Sequence, residues 1–194
     1  MTTLPLARLL QSLGLILSLG LLTACEGTDL KKPPVPLGDF VLGLNITVAA
    51  NAQAPGISRM VTTEEWETAM EKAMDDRFGR YEGNRIYNFG ISIDGYVLAP
   101  PGVPVVASPR SALIMTVHVY EDAIQTELNP GGKRLTMVEG VSPESFIGSG
   151  WTQNKDQQLA RMAYRGALAV QNYLLEHPEW FGLPPKADAD TPSK

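Results

Sequence analysis

The chain has 194 residues, with 16 Lys and Arg against 21 Asp and Glu, and carries a formal net charge of −5 at pH 7. This acidic balance disfavours nucleic acid as a partner, and the sequence contains no RNA- or DNA-binding motif. A single cysteine excludes an intramolecular disulfide and a metal site built from several thiolates. The folded part must therefore be held by its hydrophobic core alone, which a domain of ~150 residues can provide.

The first 24 residues have the pattern of a cleaved signal peptide. One basic residue, Arg8, precedes a ten-residue apolar run, "LGLILSLGLL", from Leu13 to Leu22. A helix that crosses a bilayer needs roughly 20 residues, so a signal removed after export is favoured over a permanent span. Without this segment, 15 basic residues remain against 21 acidic ones, and the formal charge becomes −6.

The only cysteine directly follows this run. Leu22-Thr23-Ala24-Cys25 resembles the lipobox of bacterial lipoproteins, in which small residues precede an obligatory cysteine. The resemblance implies cleavage before Cys25, diacylglycerol on its sulfur and a further acyl chain, such as palmitate, on its new N-terminus. Two or more chains anchor a protein firmly, whereas one holds it marginally. Glu26, in place of aspartate, implies sorting to the periplasmic leaflet of the outer membrane. The alternative is a core cysteine behind an ordinary signal peptide.

Segments of biased composition flank the predicted domain. Residues 25–36 end in "KKPPVP" and are expected to form a tether, since prolines favour an extended chain of ~3.1 Å per residue. Residues 186–194 have the small, charged composition of a disordered tail. We therefore expect a single domain over residues 37–185.

The first predicted element is a strand. Residues 38–48, "GDFVLGLNITV", alternate between apolar and polar or small side chains, which is typical of a half-buried strand. The face expected to lie against the core comprises Phe40, Leu42, Leu44, Ile46 and Val48. Gly43, Asn45 and Thr47 are expected on the opposite face.

A helix is predicted next. Thr62 and Glu65 form a capping box, and the apolar period continues to about Phe78. An acidic row on this helix is expected to be a solvated face, because a calcium site needs 6 to 8 oxygens wrapped by a flexible loop. The row comprises Glu64, Glu67, Glu71 and Asp75.

Strands separated by turns fill the middle of the chain. Residues 84–98 and 111–123 have strand character, and the segment 99–110 between them contains four prolines and is expected to be an exposed loop. Pro130-Gly131 is typical of a type II turn. Residues 124–128 and 133–141 are therefore predicted to pair as a hairpin. Whether residues 111–128 form one strand or two is open.

The last predicted helix spans residues 156–176, from an Asn154/Gln157 capping box to Pro178. One apolar stripe is expected to face the sheet, and it comprises Leu159, Ala163, Gly166, Val170, Tyr173 and Leu174. A second stripe is a candidate partner surface; it comprises Tyr164, Leu168 and Leu175, flanked by Arg161 and Arg165. The alternative is that this flank packs on the first helix or under the segment that follows. Trp180, Phe181 and Leu183 in that segment are expected to fold back on the core.

The element order β-α-β-β-β-α predicts an α+β two-layer sandwich. We expect a mostly antiparallel sheet of about four strands, with two long helices on one face. In element order alone this is similar to small envelope lipoproteins of Gram-negative bacteria, including the lipopolysaccharide-assembly lipoprotein. The chain departs from that protein's Cys-Gly-Phe start, since it reads Cys25-Glu26-Gly27.

No catalytic motif is complete. "FIGSGW" has Ile147 where a nucleophile elbow needs glycine, and His118 and His177 are the only histidines. We expect no catalytic residue, metal or cofactor. The favoured function is a lipid-anchored, non-catalytic factor that acts in envelope assembly or interaction by binding another envelope protein. The alternative is a small-molecule or lipid-binding module, or a weak enzyme, with a polar-lined cavity between sheet and helices. A closed core with an exposed apolar surface would favour the first.

Overall fold

The computed structural model describes residues 28–100, 110–139 and 154–186. The signal peptide, the lipobox, most of the proline-rich loop, the "FIGSGW" segment and the tail from residue 187 lie outside the described residues. The chain divides into residues 1–31, where the described part is a 3₁₀ helix at Thr28–Lys31, and a compact unit of residues 32–194. Within the described ranges, no helix is both long and apolar enough to cross a membrane.

Residues 32–194 form the predicted α+β fold, with five strands rather than four. The two long helices lie on one face of the sheet. The elements are β1 (Val41–Val48), α1 (Thr63–Phe78), β2 (Ile86–Val97), β3 (Ala112–Glu121), β4 (Thr126–Glu127), β5 (Lys133–Val138), α2 (Lys155–Leu174) and a final 3₁₀ helix (Pro178–Phe181). Residues 111–128 thus form two strands, the second very short.

The sheet is antiparallel except at its first pair. β1 runs parallel to β2 because α1 crosses over between them, and β3 lies antiparallel to β2. The predicted hairpin between residues 124–128 and 133–141 is wrong, since β4 and β5 both pair with β3. The turn itself has the expected geometry: Gly131 has φ 87°, and the Gly132 amide donates to the carbonyl of Asn129 at 2.8 Å. The Asn129 side chain bonds the β3 backbone in the gap between the two pairings.

Both capping boxes are confirmed, one at Thr62 and Glu65 and the other at Asn154 and Gln157. The two helices contact each other across Gly166, where an added Cβ would lie only 2.7 Å from the Met70 side chain. The apolar stripe predicted to face the sheet is buried throughout. Together with the inner face of the sheet, the helices enclose a core that includes Trp66, Met70, Met74, Phe78, Phe89, Ile91 and Ile93.

The predicted facing of β1 is wrong in its second half. Leu42 pairs with Tyr87 and Asn45 with Phe89, so β1 holds one extra residue there, which makes a β-bulge. One extra residue moves every later side chain to the other face. Thr47 is therefore buried at 4% exposure, whereas Leu44, Ile46 and Val48 are 62%, 52% and 48% exposed.

The acidic row on α1 is only partly a solvated face. The Glu71 and Glu67 carboxylates accept hydrogen bonds from the backbone amides of Thr47 and Ala49, both at 3.1 Å. The Asn45 side chain donates to the Glu71 carbonyl at 2.8 Å and to the carboxylate of Asp75 at 3.2 Å. Three of the four acids thus bind the edge strand, and two of the four, Glu64 and Asp75, are exposed.

Both ends of the domain's chain are held against an aromatic cluster around Phe40. Its ring contacts Tyr87 and Phe181 at centroid distances of 5.3 and 5.7 Å. Phe181 is 1% exposed and Trp180 packs beside it, as predicted, whereas Leu183 remains 40% exposed.

The segment predicted to be a tether lies on the domain from Lys32 onward. The Lys32 carbonyl accepts a hydrogen bond from Arg80 at 2.9 Å, and the Val35 carbonyl accepts one from the Tyr81 hydroxyl at 2.7 Å. Burial raises the pKa of this tyrosine, so the hydroxyl stays protonated as a donor at neutral pH.

Candidate docking groove on the open sheet face

The two helices cover one face of the sheet, and the other face carries apolar side chains in contact with solvent. Leu44, Ile46 and Val48 line this open face on β1, and Tyr120, which is 37% exposed, lines it on β3. Single exposed apolar residues are common on any surface, but a contiguous group of them usually marks an interaction site. The open face is therefore the candidate functional surface of the domain.

A groove of about 390 Å³ crosses this face between β1 and the end of β3. Its floor lies over β2 at Gly90, which pairs with Ile46 on one side and with His118 on the other. Because glycine has no side chain, an unfilled space remains above Gly90 between the side chains of its two neighbours. The residues that line the groove are Leu44, Ile46, Asn88, Phe89, Gly90, Tyr120, Glu121, Asp122 and Gln125.

The bulge in β1 forms one wall of the groove. The Leu44 amide, displaced by the extra residue, donates to the Asn88 side-chain oxygen at 2.7 Å. The Asn88 amide in turn donates to the Asp122 carboxylate at 2.9 Å. A chain of two hydrogen bonds thus ties β1 to the turn after β3, and it holds Leu44 and Asp122 on opposite sides of the groove.

One end of the groove is negatively charged. Glu121, although it lies in the wall, is neutralised by Arg85, whose Nε and Nη2 bind it at 2.9 and 2.7 Å. The hydrogen bond to the Glu121 carboxylate raises the pKa of the Arg85 guanidinium, so this guanidinium stays charged beside it. Asp122 is exposed and accepts a hydrogen bond from a neutral amide, so its charge is not cancelled there.

A row of polar side chains lies beside the groove on the same face. His118 Nδ1 contacts the carboxylate of Glu127, an arrangement that could orient a general base. The hydroxyl of Thr116 donates instead to Asp94 at 2.7 Å, and that of Ser92 donates to the same carboxylate at 3.1 Å. Neither of these two hydroxyls is therefore hydrogen-bonded to the His118 ring. Among the described residues, no three His, Cys, Asp or Glu side chains cluster so as to hold a metal ion.

The partner surface predicted on α2 is not a single exposed patch. Arg161 is buried and its Nη2 lies 2.6 Å from the carboxylate of Glu139, and Leu175 packs against the core. The ring of Tyr164 lies under the Arg77 guanidinium of α1, 4.9 Å from its centroid. Tyr164 therefore packs on the first helix, as the stated alternative expects, whereas Arg161 and Leu175 contact other parts of the domain. Leu168 and Arg165 are half-buried.

Sequence reasoning missed the groove because it assumed unbroken alternation along β1. The available signal was Gly43 in "VLGLN", since a glycine inside a strand pattern often marks a bulge. A Cβ on Gly43 would lie 2.3 Å from the Asn88 side-chain oxygen, so a larger residue there would have to displace Asn88, which binds the bulge.

No protein-family model matches the chain, and no curated protein matches it. Among solved structures, a candidate lipoprotein from Caulobacter crescentus CB15 is 16% identical, with 75% of this chain and 92% of that chain covered and a TM-score of 0.36. A Xanthomonas campestris protein assigned to DUF330 is 12% identical over 76% and 94% of the two chains, with a TM-score of 0.37. A minor lipoprotein from Acinetobacter baumannii is 14% identical over 69% and 89%, with a TM-score of 0.22. Scores this low carry no inference about activity.

Proposed function

We propose that the protein is a lipid-anchored envelope lipoprotein whose domain acts without catalysis, binding a segment of another envelope protein in the groove on the open sheet face. The observation that carries this proposal is the exposed group of Leu44, Ile46 and Tyr120 outside a core that is already filled. The lipobox at Leu22–Cys25 supplies the anchor, and Glu26 favours the periplasmic leaflet of the outer membrane.

The side chains that line the groove indicate which residues a partner segment should carry. Leu44, Ile46 and Tyr120 offer apolar contacts, and Asp122 offers a negative charge at one end. The complementary segment carries one or two apolar side chains followed by a lysine or arginine. Charge pairing at the rim sets orientation and association rate, and the apolar contacts supply most of the affinity.

Among the described residues, the side chains between sheet and helices are closely buried, which argues against the alternative of a ligand cavity there. That layer holds Trp66, Met70 and Met74, each 0% exposed. The groove itself has a volume in the range of small-molecule sites, roughly 300 to 1,000 Å³, although such sites enclose most of the ligand. A small molecule in the groove is therefore the second outcome that an experiment must be able to detect.

Photo-crosslinking tests the proposal in native membranes. A photoreactive residue at position 46 is expected to capture a protein whose crosslinked peptide contains apolar and basic residues. The matched control is position 57, because Ile57 is also exposed, at 69%, but lies in the loop after β1. Asp122→Lys should reduce capture at position 46, since it reverses the charge at the groove end. Equal capture from positions 46 and 57, or capture unaffected by Asp122→Lys, would contradict the proposal.

Two glutamate variants separate docking from stability. Ile46→Glu should abolish capture and leave the melting temperature nearly unchanged, because the side chain is 52% exposed. Val138→Glu, on β5 of the same face and 53% exposed, should retain the partner. Native mass spectrometry of the purified chain tests the alternative that a small molecule binds in the groove. A small adduct that is present in wild type and lost in Ile46→Glu would favour a ligand-binding module.

A further inference from the structure

One end of the domain carries four exposed apolar side chains that do not line the docking groove. Val35 is 45% exposed, Ile86 44%, Ile124 58% and Leu183 40%. They come from four separate parts of the chain, so no single amphipathic element accounts for them. We call this group the anchor end.

Backbone hydrogen bonds bring two of these residues together. Ile86 begins β2, and its carbonyl accepts a hydrogen bond from the Asp122 amide at 2.9 Å, just after β3 ends. Ile124 lies two residues beyond Asp122, in the turn to β4. The start of β2 and the turn after β3 therefore lie side by side.

The other two residues, Val35 and Leu183, lie at the same end of the domain. Val35 precedes the first strand and Leu183 follows the last 3₁₀ helix. The Val35 carbonyl is bound by the Tyr81 hydroxyl, and the Asp39 amide donates to the Phe181 carbonyl at 3.0 Å. Leu183 lies beside Gly38, since a Cβ on that glycine would be 3.0 Å from Leu183 Cγ. The neighbouring Val41 amide donates to Arg85, the residue before Ile86, at 2.9 Å.

The chain between the proposed acylation site and this end is short. Six residues lie between Cys25 and Lys32, so the chain takes seven residue-to-residue steps to reach Lys32, where it is already bound to Arg80. At 3.3 to 3.6 Å per residue the fully extended segment spans at most ~25 Å. An acylated Cys25 lies in the membrane, so Lys32 and the side chains around it are confined near the lipid surface.

We propose that the anchor end rests on the lipid surface of the leaflet that holds the acylated cysteine, with Val35, Ile86, Ile124 and Leu183 in the interfacial layer. The proposal rests on the proposed lipid anchor. It fixes the orientation of the domain: β2 runs away from the membrane from Ile86 onward, and the docking groove extends along the open sheet face with its charged end at Asp122 nearest the lipid.

The charges near the anchor end are mixed. Lys32, Arg80 and Arg85 lie there, and so do Asp39, Glu82 and Asp122. A run of four to eight basic residues is what draws proteins to anionic headgroups, and the described residues of this end contain no such run. The contact is therefore apolar, and we expect it to be insensitive to salt and to the anionic lipid fraction.

The opposite end of the sheet provides an internal control. Ile57 and Met60 are 69% and 74% exposed, and the loop that carries them is bound to Leu98 beyond the end of β2. β2 has 12 residues, so at ~3.3 Å per residue the two ends are roughly 36 Å apart. An apolar side chain at this end is beyond the reach of the lipid surface.

The experiment uses the acylated full chain in vesicles of phosphatidylethanolamine and phosphatidylglycerol. Cys25 is consumed by acylation and is the only native cysteine, so Ile124→Cys or Ile57→Cys adds one site for an environment-sensitive fluorophore. Both side chains are more than half exposed, so neither label displaces core packing. Nitroxide-bearing lipids should quench the label at position 124 at least twofold more than the label at 57, and aqueous iodide should quench the label at 57 more.

The outcomes distinguish the orientation from the anchor. Protein that does not float with the vesicles refutes the lipid anchor, and the orientation falls with it. Protein that floats with both labels equally open to iodide, or equally quenched by nitroxide lipid, refutes the orientation and leaves the anchor standing. Quenching at position 124 that disappears at high salt or without phosphatidylglycerol would also overturn the apolar contact.

Discussion

The docking groove depends on which side chains of β1 point to the open face of the sheet. The same substitution, made at one position on each face, tests this arrangement. Ile46→Thr changes a side chain on the open face, and Ile91→Thr makes the same change on β2 in the core. Both substitutions keep the β-branched shape that strands favour, so strand propensity changes little. Unbroken alternation along β1 would place Ile46 in the core, and the two variants would then cost the same.

The expected costs differ because the two side chains differ in exposure. Ile91 is 2% exposed, so its replacement removes buried carbon and leaves a hydroxyl without a partner, at a cost of ~2 to 4 kcal/mol. Full burial of an isoleucine side chain contributes ~1.5 to 3 kcal/mol. Ile46 is 52% exposed, so it gains about half of that contribution, and a threonine at this position would retain part of it. We therefore expect Ile46→Thr to cost less than ~1 kcal/mol.

Urea unfolding of residues 32–194, which form one compact unit, provides the measurement. The fluorescence of Trp66, which is 0% exposed, is expected to report loss of the core. Asn45→Ala completes the set: it removes hydrogen bonds to Glu71 and Asp75 and should cost ~1 to 3 kcal/mol. Equal costs for the two isoleucine variants, with no cost for Asn45→Ala, would show that the bulge is absent and that the groove is not formed.

Three further predictions concern the anchor and the first helix. Cys25→Ser should abolish incorporation of labelled palmitate and leave the chain with its signal peptide; label retained by the variant would refute the lipobox. Thr62→Ala should lower the free energy of unfolding by ~1 kcal/mol, because it removes the side chain that caps the Glu65 amide; an unchanged urea midpoint would argue against this cap. Glu65→Gln keeps a residue suited to the capping box but breaks the ion pair with Lys155, whose hydrogen bond lowers the pKa of Glu65. A folded-state pKa below the unfolded value adds stability that is fully present above the unfolded pKa and is lost as the pH falls through the folded-state pKa. The free energy of unfolding of the variant should therefore be at most ~1 kcal/mol below that of wild type at pH 7 and equal to it in strong acid.

Local signals in the sequence were enough to predict the helices. The side-chain caps at Thr62 and Asn154 act within four residues, and the apolar period of α2 extends over five turns, so tertiary context did not have to be known. The fold class followed from the element order, because two apolar helix faces need the apolar face of a sheet to cover them.

Features that depend on distant partners could not be predicted in the same way. The hairpin prediction failed because the edge of β3 is long enough to pair with both β4 and β5, and the Asn129 side chain fills the interval between them. The second stripe of α2 shows the same limit, because a helical period does not show what lies opposite the helix. Arg77, far away in sequence, supplies the contact that covers Tyr164.

The acidic row of α1 affects which surface of the sheet a partner can use, because it binds amides at the edge of β1. An edge strand presents unpaired amides on which another chain can add as a further strand. Glu67 and Glu71 occupy the outward amides of Ala49 and Thr47, and a partner strand would have to displace two carboxylates already bound there. The same bulge that turns Asn45 and Thr47 toward these acids turns Leu44 and Ile46 outward. One inserted residue thus occupies two amides at the edge of β1 and exposes its open face, which favours the proposed docking groove over strand addition at this edge.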